Sequence, residues 1–348
     1  MRDGLNTLLS GSPLTKEQSA SVMKDIMSGK ANNFQIPAYL VALRLQGETP
    51  EIIAGAASVM REFASGIKPK VEGNLVDTCG TGGDKSYTFN ISTVSALVVA
   101  GAGIPVAKHG NRSVSSKCGS ADLLEGLGVN INLSPEEVEK VISKINIGFM
   151  FAPKFHPAMK YAMPARKGLG IRTIFNVLGP LTNPANAKSH VLGVFDKELV
   201  PLLAKAMKDL SAHHIYVVHS EPGIDEIVPL SKVHIGEVKE DVLKFYSLTP
   251  EDFGIEPFEM NDLTTKSLDE NIRTTISILK NVEQGIKRKI VEINAAYAIM
   301  ASDKTDNYDD ALNLARNSIE SGKALEKLKL LVKETNGSLD KLEALLKE

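Results

Sequence analysis

The residues best equipped for chemistry lie between Val76 and Ser120, in two polar loops that each follow a short apolar run and lead into a helix-like segment. The first loop is Cys79-Gly80-Thr81-Gly82-Gly83-Asp84. Its glycines free the backbone to take positive φ and to bring N–H groups close to a ligand. Such groups, ahead of a helix N-terminus, suit phosphate. That helix is expected to start at Asn90, a good N-cap, with Ser92 and Thr93 placing hydroxyls in its first turn. The second loop, Lys108-His109-Gly110-Asn111-Arg112-Ser113-Val114-Ser115-Ser116-Lys117, gathers cations and hydroxyls. It ends at Cys118-Gly119-Ser120, where Ser120 reads as the cap of another helix. Two anion-friendly loops on successive βα turns predict one crevice at the carboxyl ends of neighbouring strands. Neither loop matches GxGxxG or GxxxxGK[ST]. An isolated GTGG serves a tight turn as readily as a ligand. The donors of the second loop tip the reading toward an anion.

Two more clusters carry charge. Arg166, Lys167 and Arg172 lie in a stretch broken by Pro153, Pro157, Pro164, Pro180 and Pro184. They read as a solvated basic face, or as a return to the crevice with an arginine for a carboxylate, which Arg grips in bidentate fashion. Asp225-Glu226 follows the loop Ser220-Glu221-Pro222-Gly223-Ile224. On a regular strand adjacent carboxylates face opposite ways, so they serve one site only from a turn. There, hard oxygen ligands beside a phosphate loop suit Mg²⁺; otherwise the pair is a solvated loop. Cys79 and Cys118 read as small packed side chains rather than nucleophiles.

Several elements must position these residues. Residues 1–66 read as helices. Thr15-Lys16-Glu17-Gln18 is a capping box, Gly29 ends that helix, and Ile36, Tyr39, Leu40 and Leu43 form an apolar stripe. Thr49-Pro50-Glu51 opens a third helix. Three short amphipathic helices cannot bury all their apolar surface alone, so they require a second domain or a second subunit. From Leu75 the pattern alternates. Strands are expected at Leu75–Asp77, Pro105–Lys108, Val129–Ile131, Gly148–Phe151, His190–Phe195 and His214–His219. Helices are expected from Asn90, Ser120, Ser134 (a second capping box, Ser134-Pro135-Glu136-Glu137) and Lys197. This is the signature of a mostly parallel sheet covered on both faces. Glu226–Leu230, Val233–Val238 and Leu243–Leu248 read as further strands, and the chain is helical again from Leu268.

Composition narrows the classes. The chain has 348 residues, a net charge of −2 and 43% hydrophobic residues, enough for two or three domains or one large one with an appendage. There is no basic excess to attract nucleic acid, and without Trp the chain is poorly equipped for base stacking. With two cysteines and no signal peptide, a cytoplasmic setting is expected. No apolar run approaches membrane-spanning length.

Taken together, Asp77–Asp84, Phe89–Thr93, Lys108–Arg112, Gly119–Asp122, Arg172–Pro184, Asp225-Glu226, Asn294-Ala295-Ala296 and Ser321–Leu325 resemble the anthranilate phosphoribosyltransferase family, in order and over essentially the whole chain. The resemblance implies an α/β fold like that of the nucleoside phosphorylases. A small N-terminal helical domain, residues 1–68 joined by helices around 165–185, would precede a large α/β domain over 70–348. It implies transfer of the phosphoribosyl group of phosphoribosyl pyrophosphate (PRPP) to anthranilate, in tryptophan biosynthesis. It implies a homodimer through the N-terminal helices, and Mg²⁺ at two ions per subunit. By the same resemblance PRPP is held by Gly80, Gly83, Asp84, Thr88, Asn90, Ile91, Ser92, Thr93, Lys108, His109, Gly110, Asn111, Arg112, Ser113, Val114, Ser115, Ser116 and Ser120. Anthranilate contacts Gly80, Asn111 and Arg166; Mg²⁺ contacts Ser92, Asp225 and Glu226. No dedicated acid or base is expected. His109 and His156 are the imidazoles nearest these loops, and His109 is read as a hydrogen-bond donor to substrate rather than a proton carrier. The rivals are a pyrimidine-nucleoside phosphorylase and a non-enzymatic relative that binds nucleic acid.

Overall fold

The computed structural model describes residues 1–84, 86–113 and 118–347. The N-terminal helices are α1 (Arg2–Leu9), α2 (Lys16–Met27), α3 (Gln35–Gln46) and α4 (Pro50–Glu62). Both sequence-predicted starts hold. The Thr15 hydroxyl accepts from Gln18 N–H while the Gln18 side chain returns to Thr15 N–H. Thr49 caps α4, with Pro50 in its first turn. The sequence reading had three helices here; α1 is the fourth, with Leu8 as its buried anchor.

Seven strands form one sheet among the described residues, in the order β3-β2-β1-β4-β5-β6-β7. They are β1 (Val76–Thr78), β2 (Val106–Gly110), β3 (Ile147–Phe151), β4 (Ser189–Gly193), β5 (His214–Ser220), β6 (Val233–Lys239) and β7 (Val242–Leu248). β1 to β5 run parallel, and β6 and β7 add an antiparallel ribbon at one edge. The chain winds from β1 outward through β2 to β3, then restarts beside β1 with β4. A reversal of strand order of this kind leaves a crevice at the carboxyl ends of the strands where the two directions part.

Helices α5 (Ile91–Gly101), α6 (Ser120–Gly126), α7 (Pro135–Ile145), α8 (Ala152–Phe155), α9 (Met163–Leu169), α10 (Phe175–Leu178) and α11 (Leu199–Asp209) connect the strands or return to the helical layer. α12 (Leu268–Leu279), α13 (Ile286–Ala301), α14 (Tyr308–Glu320), α15 (Lys323–Glu334) and α16 (Leu339–Lys347) close the chain. α5 is buried nearly all round, packed against α13, α14 and α15, as its unbroken apolar run requires. A second core joins α1–α4 to Ala162, Ile174, Phe175, Leu178 and Leu181, and then to α11 and the Leu192, Val194, Ile215 and Val217 face of the sheet. The N-terminal helices thus bury apolar surface within their own chain. No helix among the described residues is long and apolar enough to cross a membrane.

Two expected strands are absent, for a shared reason. Val129–Ile131 alternates buried and half-buried like a strand. Its N–H groups, however, go to Leu124 O and the Thr335 hydroxyl, so it runs extended without a ladder. In Glu226–Leu230 the N–H of Ile227 goes to Asn294 Oδ1, its carbonyl accepts from Asn294 Nδ2, and Val228 N–H goes to the Ser220 hydroxyl. Side chains take the place of a neighbouring strand there.

Candidate active site

The crevice is built around the N-terminus of α5. Ile91 and Thr93 anchor that end in the core, and Ser92 stays half-exposed. Asn90 precedes the helix as expected, but its side chain makes no capping bond. Its N–H instead donates to Asn271 Oδ1 (2.9 Å). The Asn90 side-chain oxygen and the Thr93 hydroxyl are both buried without a hydrogen-bond partner. Orphaned polar atoms at the positive end of a helix dipole call for an anionic or hydroxylic ligand. Lys108, on β2, is buried beside them. Its ammonium donates to Thr78 O (2.6 Å) and to the hydroxyls of Thr78 (3.4 Å) and Ser92 (3.3 Å).

Asp225 and Glu226 sit on a bend, as the one-site reading requires. Glu226 Oε1 accepts Ser92 N–H (3.2 Å), and Asp225 Oδ2 accepts Gly82 N–H (2.6 Å). Both carboxylates therefore face the crevice. Dense surroundings, then the charges of Asp84 and Glu226, push Asp225 well above the carboxylate range. Glu226 rises to about 7, chiefly through desolvation, with Lys108 and the Ser92 N–H pulling it back. Each keeps partial solvent contact despite being packed on most sides. A cation entering here would displace protons. Among the described residues no three His, Cys, Asp or Glu side chains are arranged to hold an ion by themselves. The acidic pair fits Mg²⁺, which takes few carboxylates and completes its shell with hydroxyls, phosphates and water.

The glycine loop closes the crevice. Gly82 and Gly83 have φ of +65° and +79°, where a Cβ would be strained. Thr81 N–H donates to Gly193 O (2.9 Å), tying the loop to β4. A Cβ on Gly80 would lie 2.6 Å from Asp225 Oδ2, so that position admits no larger residue without moving the acidic turn. Asp84 turns back on Ser86, accepting from its N–H (3.3 Å) and its hydroxyl, and the Ser86 hydroxyl reaches Thr88 (3.3 Å). Thr88 pairs with Thr264 in an isolated bridge.

On the second loop Gly110 ends β2 and Asn111 is exposed. Arg112 is exposed and its guanidinium is held by Asp122 (2.9 Å) and Glu125 (2.9 Å). Ser113 N–H donates to Asp122 (3.1 Å). Val114, Ser115 and Ser116 lie outside the described residues. Ser120 is not the cap: it is the first residue of α6, whose cap is Gly119. Asp122 does the capping work by accepting Gly119 N–H (2.9 Å), and the Ser120 hydroxyl donates to Asn111 O (3.3 Å).

His109 and His156 are buried, with ring centroids 5.1 Å apart and both Nε2 atoms unpartnered. Burial lowers His109 to about 3 and His156 to about 4, while the backbone carbonyls of Gly179 and Thr182 pull the other way. Both rings are neutral near pH 7, which suits hydrogen bonding more than proton shuttling. The cysteines are inert: burial pushes Cys118 up to about 12 and Cys79 higher still. Arg166 stands apart, in the helical layer. It stacks on Phe175 (5.4 Å), its polar neighbour is the Met163 thioether, and burial lowers its pKa.

Sequence reasoning missed the residues that hold the site from behind. Asp77 is fully buried, accepts from His109 N–H (3.2 Å) and Asn183 Nδ2 (2.7 Å), and is raised to about 6 by burial against the pull of Lys108. Asn271 and Asn294 hold Asn90 and Ile227. A lone charge beside Leu75 and Val76, as Asp77 is, was the available signal; Asn294 stood out only as part of the Asn294-Ala295-Ala296 motif, with no role attached, and Asn271, inside an ordinary helix, gave none.

Comparison with known proteins agrees with this geometry. Residues 2–64 match the glycosyl transferase family helical bundle domain, and residues 72–325 match the glycosyl transferase family a/b domain. The anthranilate phosphoribosyltransferase of Aquifex aeolicus is 44% identical over 336 residues, covering 97% of this chain and 98% of the relative. The crystal structure of the Thermus thermophilus enzyme of that name superimposes with a TM-score of 0.91 at 40% identity, covering 96% of this chain and 99% of that one. The structure of the Saccharomyces cerevisiae enzyme, in complex with PRPP and Mg, does so with a TM-score of 0.87 at 28% identity, over 96% and 97% of the two chains. With its crevice, its two-part fold and its relatives all in agreement, this chain belongs to the anthranilate phosphoribosyltransferase family.

Proposed function

We propose that the chain transfers the phosphoribosyl group of PRPP to the amino group of anthranilate, releasing pyrophosphate, as a step of L-tryptophan biosynthesis. The observation that carries this reading is the convergence of Asp225, Glu226, Ser92 and Lys108 under one glycine loop at the N-terminus of α5. In the reaction the amine nitrogen bonds to C1 of the ribose, the C1–O bond breaks, and the amine proton leaves to solvent. Positive charge builds on the ribose and negative charge on the leaving pyrophosphate. An aromatic amine is already neutral at pH 7, so positioning and electrostatics carry the rate.

In this reading the N–H groups of the glycine loop and the start of α5 hold the donor, with Asp84, Thr88 and Asn90 beside it. Lys108, already buried at the crevice wall, meets the pyrophosphate. Asp225, Glu226 and Ser92 hold Mg²⁺, two ions per subunit, which when bound neutralises the leaving group. Gly80, Asn111 and Arg166 take anthranilate. Arg166 supports this role because its contacts leave the guanidinium without a carboxylate among the described residues. His109 donates a hydrogen bond from its unpartnered Nε2.

We divide the chain into residues 1–68 with the segment around 165–185, and residues 70–348; the packing of α1–α4 with Ala162, Ile174, Phe175, Leu178 and Leu181 supports the first unit, although the same core continues into α11 and the sheet. We also place the chain in the cytoplasm as a homodimer through α1 and α3. Leu9 (71% exposed), Phe34 (87%) and Leu45 (84%) support that surface, as large apolar side chains that α1 and α3 leave in water. Incubation with PRPP, Mg²⁺ and anthranilate should give one phosphoribosyl-anthranilate and one pyrophosphate per turnover by mass spectrometry and pyrophosphate assay. Phosphorolysis of pyrimidine nucleosides in place of that product would overturn the assignment.

A further inference from the structure

The glycine loop is held from several directions, and one hold differs in origin from the rest. Thr81 is tied to β4 and Gly82 to Asp225, both parts of the sheet layer. The third hold comes from the other half of the molecule. Arg172, between α9 and α10, donates from Nη2 to Gly83 O (2.6 Å). Its guanidinium lies 3.9 Å from the centre of the Phe195 ring, just past the end of β4. Phe195 N–H in turn reaches the Thr81 hydroxyl (3.3 Å). One exposed side chain therefore bridges the helical segment, the end of β4 and the glycine loop.

The geometry points to Arg172 as a positioning residue that sets the shape of the donor loop through the Gly83 carbonyl. The inference rests on the proposed donor role of that loop. Gly82 and Gly83 both sit at positive φ, which glycine adopts freely and, for the same reason, leaves freely unless contacts fix it. In a planar trans peptide the C=O and the following N–H point in opposite directions. Holding Gly83 O toward Arg172 turns Asp84 N–H away from it and fixes the start of Asp84. The residue after Arg172 belongs to the same brace: Thr173 N–H donates to Asn176 Oδ1 (2.9 Å), and Asn176 follows Phe175, on which Arg166 stacks. Donor-loop shape and the placement of Arg166 are thereby linked through one guanidinium. Arg suits this task because its flat fork can stack and donate at once, which an ammonium cannot.

The test compares the wild type with Arg172→Ala, Arg172→Lys, Phe195→Leu and Arg172→Ala/Phe195→Leu. Steady-state kinetics are combined with calorimetric titration of inorganic pyrophosphate in Mg²⁺. Arg172 is exposed, so its variants should melt with the wild type. Loss of one charge-assisted hydrogen bond predicts that Arg172→Ala raises the donor KM and the pyrophosphate Kd about 10-fold each, with anthranilate KM moved less than about 2-fold. Arg172→Lys should not rescue, and the double variant should be no worse than Arg172→Ala alone, because the residues act as a unit. Unchanged pyrophosphate affinity with a raised anthranilate KM would overturn the proposal and make Arg172 a direct contact of the acceptor. Additive losses in the double variant, or full rescue by Lys, would also overturn it. A wild type that neither turns over nor binds pyrophosphate would instead sink the functional reading beneath it.

Discussion

At the scale of single residues, charge and proton balance decide what the crevice can do. Burial keeps Asp225 and Glu226 high, with the charge of Asp84 adding to both and that of Glu226 adding to Asp225; Glu226 stands at about 7. Between pH 4.5, its ordinary value, and 7 the folded chain holds a proton on Glu226 that the unfolded chain has released. This group's contribution to stability therefore falls as pH rises through that window. With Glu226 as a proposed Mg²⁺ ligand, the ion would replace the proton, so the gain in Tm on adding Mg²⁺ to EDTA-treated protein should grow between pH 6 and 8, measured by scanning calorimetry. A gain that is flat or shrinks with pH would separate these carboxylates from the metal. The acidic pair was legible in the sequence as an adjacent doublet, but its common direction was not, because that depends on the bend at residues 225–226. Arg172 was legible as one of a basic cluster that either faces solvent or returns to the crevice, not as a brace for the glycine loop. Its engagement with Gly83 is a long-range contact that spacing along the chain cannot reveal.

At the scale of elements, local signals were reliable where local bonds do the work. Thr15 and Ser134 cap their helices as their sequences predict. Thr15→Ala should cost about 1 kcal/mol in urea unfolding and leave kcat/KM unchanged; an activity loss would mean α2 is coupled to the crevice. Local signals misled where side chains from elsewhere intervene. Asn90 precedes α5 as a cap would, but its N–H is held by Asn271 and its side chain caps nothing; at α6 the misreading was local, since Asp122 within the helix does the work expected of Ser120. The Glu226–Leu230 stretch looked like a strand, yet Asn294 pairs with its backbone. That substitution frees the acidic turn from the ladder and lets both carboxylates reach the crevice. Asn294→Ala should then lower Mg²⁺ affinity about 10–100-fold, as loss of a supporting hydrogen bond does at metal sites. The check is a Mg²⁺ titration of kcat, with a Tm comparison to confirm folding. Unaltered Mg²⁺ dependence in a folded variant would assign Asn294 to the fold alone.

At the scale of the whole molecule, alternating βα units predicted a mostly parallel sheet, and the reversal of strand order beside β1 brings both predicted loops to one edge. That much was legible because parallel pairing and helix periodicity are written into runs of apolar residues. How the N-terminal helices seat against α11 and the sheet was not, since one apolar stripe fits many partners. The large apolar side chains left outside, Phe34 and Leu45, predict that Phe34→Asp with Leu45→Glu shifts the protein toward monomer in sedimentation velocity while leaving its fold intact. A dimer unaffected by both changes would place the interface elsewhere. In the proposed function one crevice joins PRPP to anthranilate with help from the acidic turn. That reading is tested most directly by following anthranilate fluorescence with PRPP and Mg²⁺, for the wild type and for Asp225→Asn/Glu226→Gln. Fluorescence should fall only with PRPP present, stop falling with EDTA, and fall roughly 100-fold or more slowly in the variant, the scale expected when a charge-stabilising group is removed. Fluorescence that falls at the same rate in the variant, or does not fall in folded wild type, would contradict it.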